Sequence, residues 1–327
     1  MAVPNYAYFQ GKIVPYSEAK VGVLTHALNY GTAAFGGIRA YWNEDLSQLF
    51  IFRATDHYRR FLNSCKLLCM QLDETPESLT QITVDLLRRE NYRRDIYIRP
   101  LCYKSDEIIG VKLHGVNEEL SICAVPFDRY IADDTNAHVT ISSWRRVDDN
   151  IIPARGKISG AYANSAFIKT DAVLAGFDDA LVLTQEGHVS EGSAMNFFMV
   201  RDGSLVTPPI TENILEGITR RSIIELAREE LKLAVVERVV DRTEVYLCDE
   251  LFLTGTAAQV TAVTRVDHRL VGNGKMGPIT ARLYTLYQDI LRGKVAKYQR
   301  WLTPVYGQQE VTADKEVSPR QVSAVHK

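Results

Sequence analysis

No segment of the sequence reaches the roughly 18 consecutive apolar residues that a membrane-spanning helix requires, although apolar residues make up 46% of the chain. They are dispersed in short runs suited to a folded core. Neither sign of charge dominates: the formal net charge is -2, so no basic excess points to nucleic acid or an anionic membrane. Cysteine is scarce and odd in number. Cys65, Cys69, Cys102, Cys123 and Cys248 form no CxxC pair and lie in largely apolar surroundings, which predicts reduced core thiols rather than a disulfide framework. The opening MAVPNYAYFQGKIVPY has no basic segment followed by an apolar run, so a cytoplasmic location is expected. The seven histidines are scattered without an HExxH pair, and GxGxxG, the P-loop and the nucleophile elbow are all missing. Metal, nucleotide and serine-hydrolase chemistry therefore have no support in the motifs.

What is present suits two domains, since 327 residues exceed one average core. Tyr6–Phe9, Gly11–Val14 and Leu49–Phe52 read as strands. Thr55 or Asp56 is expected to cap a helix reaching Leu67, and Thr75-Pro76 starts another with Leu79, Ile82 and Leu86 on one face. Ile96–Leu101 and Leu120–Val125 read as strands again. We place a small α/β domain at 1–130, a linker at 131–137, a large domain at 138–307 and a disordered tail at 308–327. In the large domain, strands are predicted at His138–Ser142, Ala180–Leu183, Val235–Val240 and Glu250–Thr254. Asp202-Gly203 marks a hairpin, and Thr219 is expected to cap a helix carrying Ile223, Ala227 and Leu231.

Several residues could carry chemistry. Gly217-Ile218-Thr219-Arg220 opens a helix, where free N–H groups and a hydroxyl can hold an anion. Taken alone, such a segment is most often a plain cap. Gly255-Thr256-Ala257-Ala258 is a small-residue turn that lets backbone N–H groups approach a carboxylate or phosphate; an ordinary tight turn reads the same way. Lys157 sits in a Gly-flanked strand-to-helix junction, five residues before Tyr162. Most lysines are solvated charges, but a buried one lowers its pKa and becomes a nucleophile. Glu191, among small residues, would need a cationic partner if buried. Arg99 alternates with Tyr97 on an apolar strand, so both face one side and the arginine needs an anion, from the protein or from a ligand.

Together these motifs resemble the class IV, fold-type IV pyridoxal-phosphate enzymes over about Tyr8 to Leu302. The most specific part is Glu191-x-Ser193-x-x-Asn196-Phe-Phe, then Leu205-Val-Thr207, then Leu215-Glu-Gly217-Ile218-Thr219-Arg220. Within that group His26-Ala-Leu-Asn-Tyr30-Gly-Thr-Ala-Ala-Phe35-Gly-Gly37-Ile-Arg39 and Tyr97-Ile-Arg99-Pro-Leu resemble branched-chain aminotransferases. Two positions depart from that pattern: Gly36, where such enzymes usually carry Glu, and Phe127, where Trp is common.

The resemblance implies an α+β fold of the D-amino-acid aminotransferase type, two domains with the cofactor in the cleft between them. It implies pyridoxal 5'-phosphate held covalently by Lys157, the catalytic proton shuttle. Glu191 would pair with the ring nitrogen and Tyr162 with the ring hydroxyl. Arg60, Ile218, Thr219 and Thr256 would hold the phosphate, with Leu215 also against the cofactor. Tyr97 and the backbone of Thr256 and Ala257 would bind the substrate α-carboxylate. Phe35, Gly37, Arg99, Phe127 and Tyr130 would shape the rest of the substrate pocket. Tyr30 and Val111 would reach the partner subunit's site, implying a homodimer or larger homo-oligomer. The implied reaction is ping-pong transamination between leucine, isoleucine or valine and 2-oxoglutarate. The competing activities are D-amino-acid or (R)-amine transamination and aminodeoxychorismate cleavage on the same fold; a non-catalytic carrier of the cofactor would not need Phe35, Tyr97 and Arg99.

Overall fold

A computed structural model describes residues 3–127, 131 and 133–307; the expected tail and Tyr130 lie outside the described residues. Two sheets organise the chain. The first has eight strands, in the order Leu302–Pro304, Gln48–Phe52, Ile38–Asn43, Ile96–Lys104, Glu118–Pro126, Tyr6–Phe9 and Lys12–Pro15, with Ala33–Phe35 pairing beside Ile96–Lys104. The helices Ala54–Leu67 and Pro76–Glu90 cover it, closing a core of Ile38, Leu49, Phe61, Leu79, Leu86 and Ile98. The second sheet has nine strands. Its main path runs Val189–Gly192, Asp179–Leu183, Ala137–Arg145, Gln259–Val266, Glu250–Gly255, Asn196–Arg201, Ser204–Thr207 and Val235–Glu237. It is mixed: Ala137–Arg145 runs parallel to both its neighbours, which the intervening helix Tyr162–Leu174 makes possible on one side. The helices Ile218–Glu229 and Pro278–Leu291 pack on one face over Phe198, Phe252 and Val260. Among the described residues no helix is long and apolar enough to cross a membrane.

Local signals set several boundaries. Thr75 accepts from the Ser78 backbone and Ser78 returns a bond to the Thr75 N–H, with Pro76 in the first turn; both ends of the cap are satisfied within four residues. Asp202 and Gly203 take positive φ of 50° and 72°, the twist a two-residue hairpin needs. Two expected caps are not caps. The helix Ala54–Leu67 starts from Arg53 in a left-handed conformation, and Asp56, already inside the first turn, binds Arg53 at 2.8 Å and Arg221 at 2.7 Å. Helix Ile218–Glu229 starts from Gly217, and Thr219 lies inside its first turn. The strand expected over 235–240 stops at Glu237.

The domain boundaries also differ from expectation. Ala137 already belongs to a strand, and Ile131, placed in the linker, is buried in the second core. At the other end the chain returns: Leu302–Pro304 pairs with Phe50–Phe52 of the first sheet, and Leu302 and Val305 are buried there. Leu302 packs in the core shared with Phe198 and Phe252 of the second sheet, and Val305 in the first core.

Candidate active site

A cavity of about 580 Å³ opens between the two sheets. Lys157, Glu191, Tyr162, Arg60, Tyr97 and Arg99 all line it, as do Phe35, Gly37, Leu215, Ile218, Thr219, Thr256 and Ala257. Thirteen residues spread over more than 200 positions thus meet in one place.

The Lys157 backbone is fixed from both sides: its N–H donates to Ser64 Oγ at 3.0 Å and its carbonyl accepts from the Phe35 N–H at 2.9 Å. The side chain enters the cavity with Nζ 4.9 Å from the Phe35 and Tyr162 ring centres, and Nζ and the Tyr162 hydroxyl are hydrogen-bonded. Burial, with Arg60 next, lowers the Lys157 pKa to about 7, while burial and Glu191 raise the Tyr162 hydroxyl to about 12. The amine is therefore substantially unprotonated near neutrality beside a phenol that stays protonated. Uptake of pyridoxal by the cofactor-free protein should accelerate from pH 6 to 8 and level off above it, because the neutral amine is the nucleophile. A rate still climbing toward pH 10 would mean that Lys157 titrates like a solvated lysine.

Glu191 is buried and makes three contacts. Arg146 Nη2 lies 2.7 Å from Oε1, and Oε2 accepts from Asn196 Nδ2 at 3.0 Å and the Leu215 N–H at 3.3 Å. Burial raises its pKa, with Arg146 the largest opposing influence. A carboxylate so held can oppose a cationic ring nitrogen without moving.

Gly217 precedes helix Ile218–Glu229 with no side-chain cap, so N–H groups of the first turn remain for a ligand. A Cβ at Gly217 would fall 2.0 Å from Asn196 Oδ1; only glycine lets the helix start this close to the sheet. Arg60 donates to the Glu216 carbonyl at 3.2 Å, adding a guanidinium beside the same helix end. At the opposite end, Arg99 Nη2 donates to the Tyr97 hydroxyl at 3.2 Å, and its guanidinium lies over Phe35 at 4.7 Å. No carboxylate pairs with Arg99 among the described residues, so its charge is open to a ligand. Gly37 is needed for this arrangement, since a Cβ there would lie 2.3 Å from the Tyr97 hydroxyl. Gly36, in turn, faces the Pro100 ring, 2.5 Å from where its Cβ would be.

Three of the named residues do not line this cavity: Phe127, against expectation, and Tyr30 and Val111, which are expected at the partner subunit's site. Phe127 lies behind Tyr97, ring centres 5.4 Å apart, and its carbonyl accepts from Arg39 at 2.8 Å; it backs the wall instead of forming it. The Tyr30 hydroxyl accepts from the Gly110 N–H at 3.1 Å, and Val111 beside it is 75% exposed. Neither lines this chain's own cavity. Sequence reasoning missed Arg146 and gave Asn196 no role. It also missed Arg39, buried on the Tyr41 ring, which donates to the Ala257 carbonyl at 3.3 Å and braces the turn expected to bind the α-carboxylate.

The fit to pyridoxal phosphate is direct: one nucleophilic lysine, a fixed carboxylate, an aromatic hydroxyl and an uncapped helix start meet in a cavity of suitable size. The family model for amino-transferase class IV matches residues 34–266. The chain is 47% identical over 302 residues to a protein of Aquifex aeolicus (strain VF5) named "Probable branched-chain-amino-acid aminotransferase", covering 92% of this chain and 97% of that protein. It is 37% identical to the branched-chain-amino-acid aminotransferase of Salmonella typhimurium, covering 92% and 97%. Among solved structures, branched-chain aminotransferase from Thermoproteus uzoniensis with norvaline superposes with a TM-score of 0.89 at 39% identity, covering 93% of this chain and 100% of that one. The branched-chain amino acid aminotransferase from Thermobaculum terrenum in its PLP-form (holo-form) also gives 0.89, at 40% identity, covering 93% and 99%.

Proposed function

The chain belongs to the class IV aminotransferases, and from that premise we propose the roles of its residues in moving an amino group between a branched-chain amino acid and 2-oxoglutarate. The protein is a pyridoxal-phosphate enzyme of fold type IV with branched-chain aminotransferase activity. The observation that carries the site reading is Lys157, with its pKa near 7 and Tyr162 on its amine, in one cavity with Glu191 on Arg146.

Lys157 would hold the cofactor, with its phosphate at Ile218, Thr219, Thr256 and Arg60, its ring nitrogen at Glu191 and its ring hydroxyl at Tyr162. When bound, that group supplies an electron sink conjugated to the substrate amine. Lys157 Nζ takes the proton from the substrate Cα. The Tyr162 hydroxyl orients that amine, and burial, with Arg60 next, favours its neutral form. Glu191 would hold a proton on the ring nitrogen, with Arg146 opposing the rise that burial imposes on the Glu191 pKa. The Tyr97 hydroxyl and the Thr256-Ala257 turn bind the α-carboxylate, and the planar Tyr97 and Phe35 rings cover the aliphatic side chain. The amino group is left on the enzyme and collected by the 2-oxo acid in a second half-reaction.

One pocket must accept both an aliphatic and an anionic side chain. Arg99 stacks on Phe35 and Tyr97 without a carboxylate partner among the described residues, so its fork can pair the second carboxylate of glutamate while its flat face stays against the rings. Arg99→Ala should slow the glutamate half-reaction at least tenfold more than the leucine half-reaction, since a charged hydrogen bond contributes about 1.5–3 kcal/mol. Stopped-flow measurement of the halves separately checks it; equal losses would place Arg99 on the α-carboxylate. The exposed Val23, Leu28, Ile109 and Val111 and the Tyr30–Gly110 contact support a homodimer or higher homo-oligomer, with Tyr30 and Val111 entering the partner's site. The five free thiols fit a reducing, cytoplasmic location.

A further inference from the structure

Thr254 is fully buried in the strand Glu250–Gly255 and lines the cavity, yet its hydroxyl has no hydrogen-bond partner among the described residues. A buried hydroxyl without a partner is a standing cost, and valine would fill the same space without it. The strand and its neighbours are rich in such residues, Val260 directly opposite among them. A threonine here therefore calls for a bond that forms when something enters the cavity.

The direction of the hydroxyl face follows from register. Thr254 pairs directly with Asn196 across the antiparallel ladder, so the two side chains share a face. Phe252, two residues earlier and on that face, packs beneath helix Ile218–Glu229 with Ile223 and Leu226. Asn196 Oδ1 abuts the start of the same helix, 2.0 Å from the position of a Gly217 Cβ. Thr254 thus stands beside the helix end whose N–H groups favour an anion. The Thr254 hydroxyl is a buried donor there with no partner among the described residues.

We propose that the Thr254 hydroxyl donates a hydrogen bond to the phosphate of the bound cofactor, adding a ligand to Arg60, Ile218, Thr219 and Thr256. The proposal rests on the pyridoxal-phosphate reading of the cavity. It concerns binding of the phosphate ester only; no bond is made or broken by Thr254.

The test compares affinities of the cofactor-free protein for pyridoxal 5'-phosphate, for pyridoxal lacking the phosphate, and for inorganic phosphate read by thermal shift. Thr254→Val should weaken pyridoxal phosphate and inorganic phosphate about 10- to 100-fold, the range for one hydrogen bond to a charged group, and leave pyridoxal unchanged. Thr254→Ser should stay within about threefold of the parent. The cofactor-free Thr254→Val protein should melt no lower than the parent, having lost an unpaired buried hydroxyl. Thr254→Ala, which cannot overpack the site, should repeat the phosphate-selective loss should the valine variant fold poorly. Equal weakening of pyridoxal and its phosphate, or no weakening of either, overturns the assignment while leaving the parent's cofactor binding intact. A parent protein that binds no pyridoxal phosphate at all overturns the reading of the cavity and this proposal with it.

Discussion

Replacing Lys157 by alanine should lower turnover about 10³-fold or more and abolish covalent attachment of the cofactor. General acid–base groups contribute about 10²–10⁴-fold, and this lysine also supplies the attachment point. Borohydride reduction of the parent protein should fix the cofactor on the peptide containing Lys157 and on no other. The substitution should leave the fold intact, because the bonds to Ser64 and Phe35 use the Lys157 backbone. Its stability effect has a definite sign. The folded protein holds Lys157 at about 7, below the ordinary 10.5, so between these values the unfolded chain binds more protons. Lys157 therefore burdens the cofactor-free fold at low pH, and this burden is relieved as pH rises from 7 toward 10.5. Cofactor-free Lys157→Ala should melt above the parent at pH 6, with the gap narrowing by pH 9. Cofactor fixed on another lysine would move the active site elsewhere.

Glu191→Gln should keep the cofactor bound and lose about 10²–10³-fold in turnover, the range for removing one preorganised partner of a charge that changes during reaction. The amide can still accept from Asn196 and Leu215, but it leaves Arg146 opposite a neutral group and offers the ring nitrogen no counter-charge. Loss should appear in both half-reactions equally, because the ring nitrogen serves both. That symmetry separates Glu191 from Arg99, whose loss is confined to the dicarboxylic half. Turnover near that of the parent would make Glu191 and Arg146 a structural pair.

The parts of the fold that were legible in sequence are those decided within a few residues. The Thr75-Pro76 start and the Asp202-Gly203 hairpin depend on local hydrogen bonds and backbone preferences. Thr219 is not the cap because Gly217, held against Asn196, begins the helix; that influence comes from a distant segment. The helix Pro278–Leu291 and the strands Ile38–Asn43 and Gln259–Val266 went unread. The two strands are buried along most of their length, so alternation is lost. For the site, the family resemblance nominated Lys157, Glu191 and Tyr162, but not the partners that tune them. Arg146 is one of many arginines in the chain, 45 positions from Glu191, and no local pattern marks it. The family resemblance put Phe127 in the wall, whereas packing against Tyr97 and the Arg39 bond turn it behind the wall.

Glutamate formation from 2-oxoglutarate, followed with one amino donor at a time, tests the central claim most directly. L-Leucine, L-isoleucine and L-valine should each yield glutamate in the parent protein, and Lys157→Ala should yield none above background. Glutamate formed only from D-alanine or an (R)-amine, or no glutamate from any donor by protein that carries the cofactor, would contradict it.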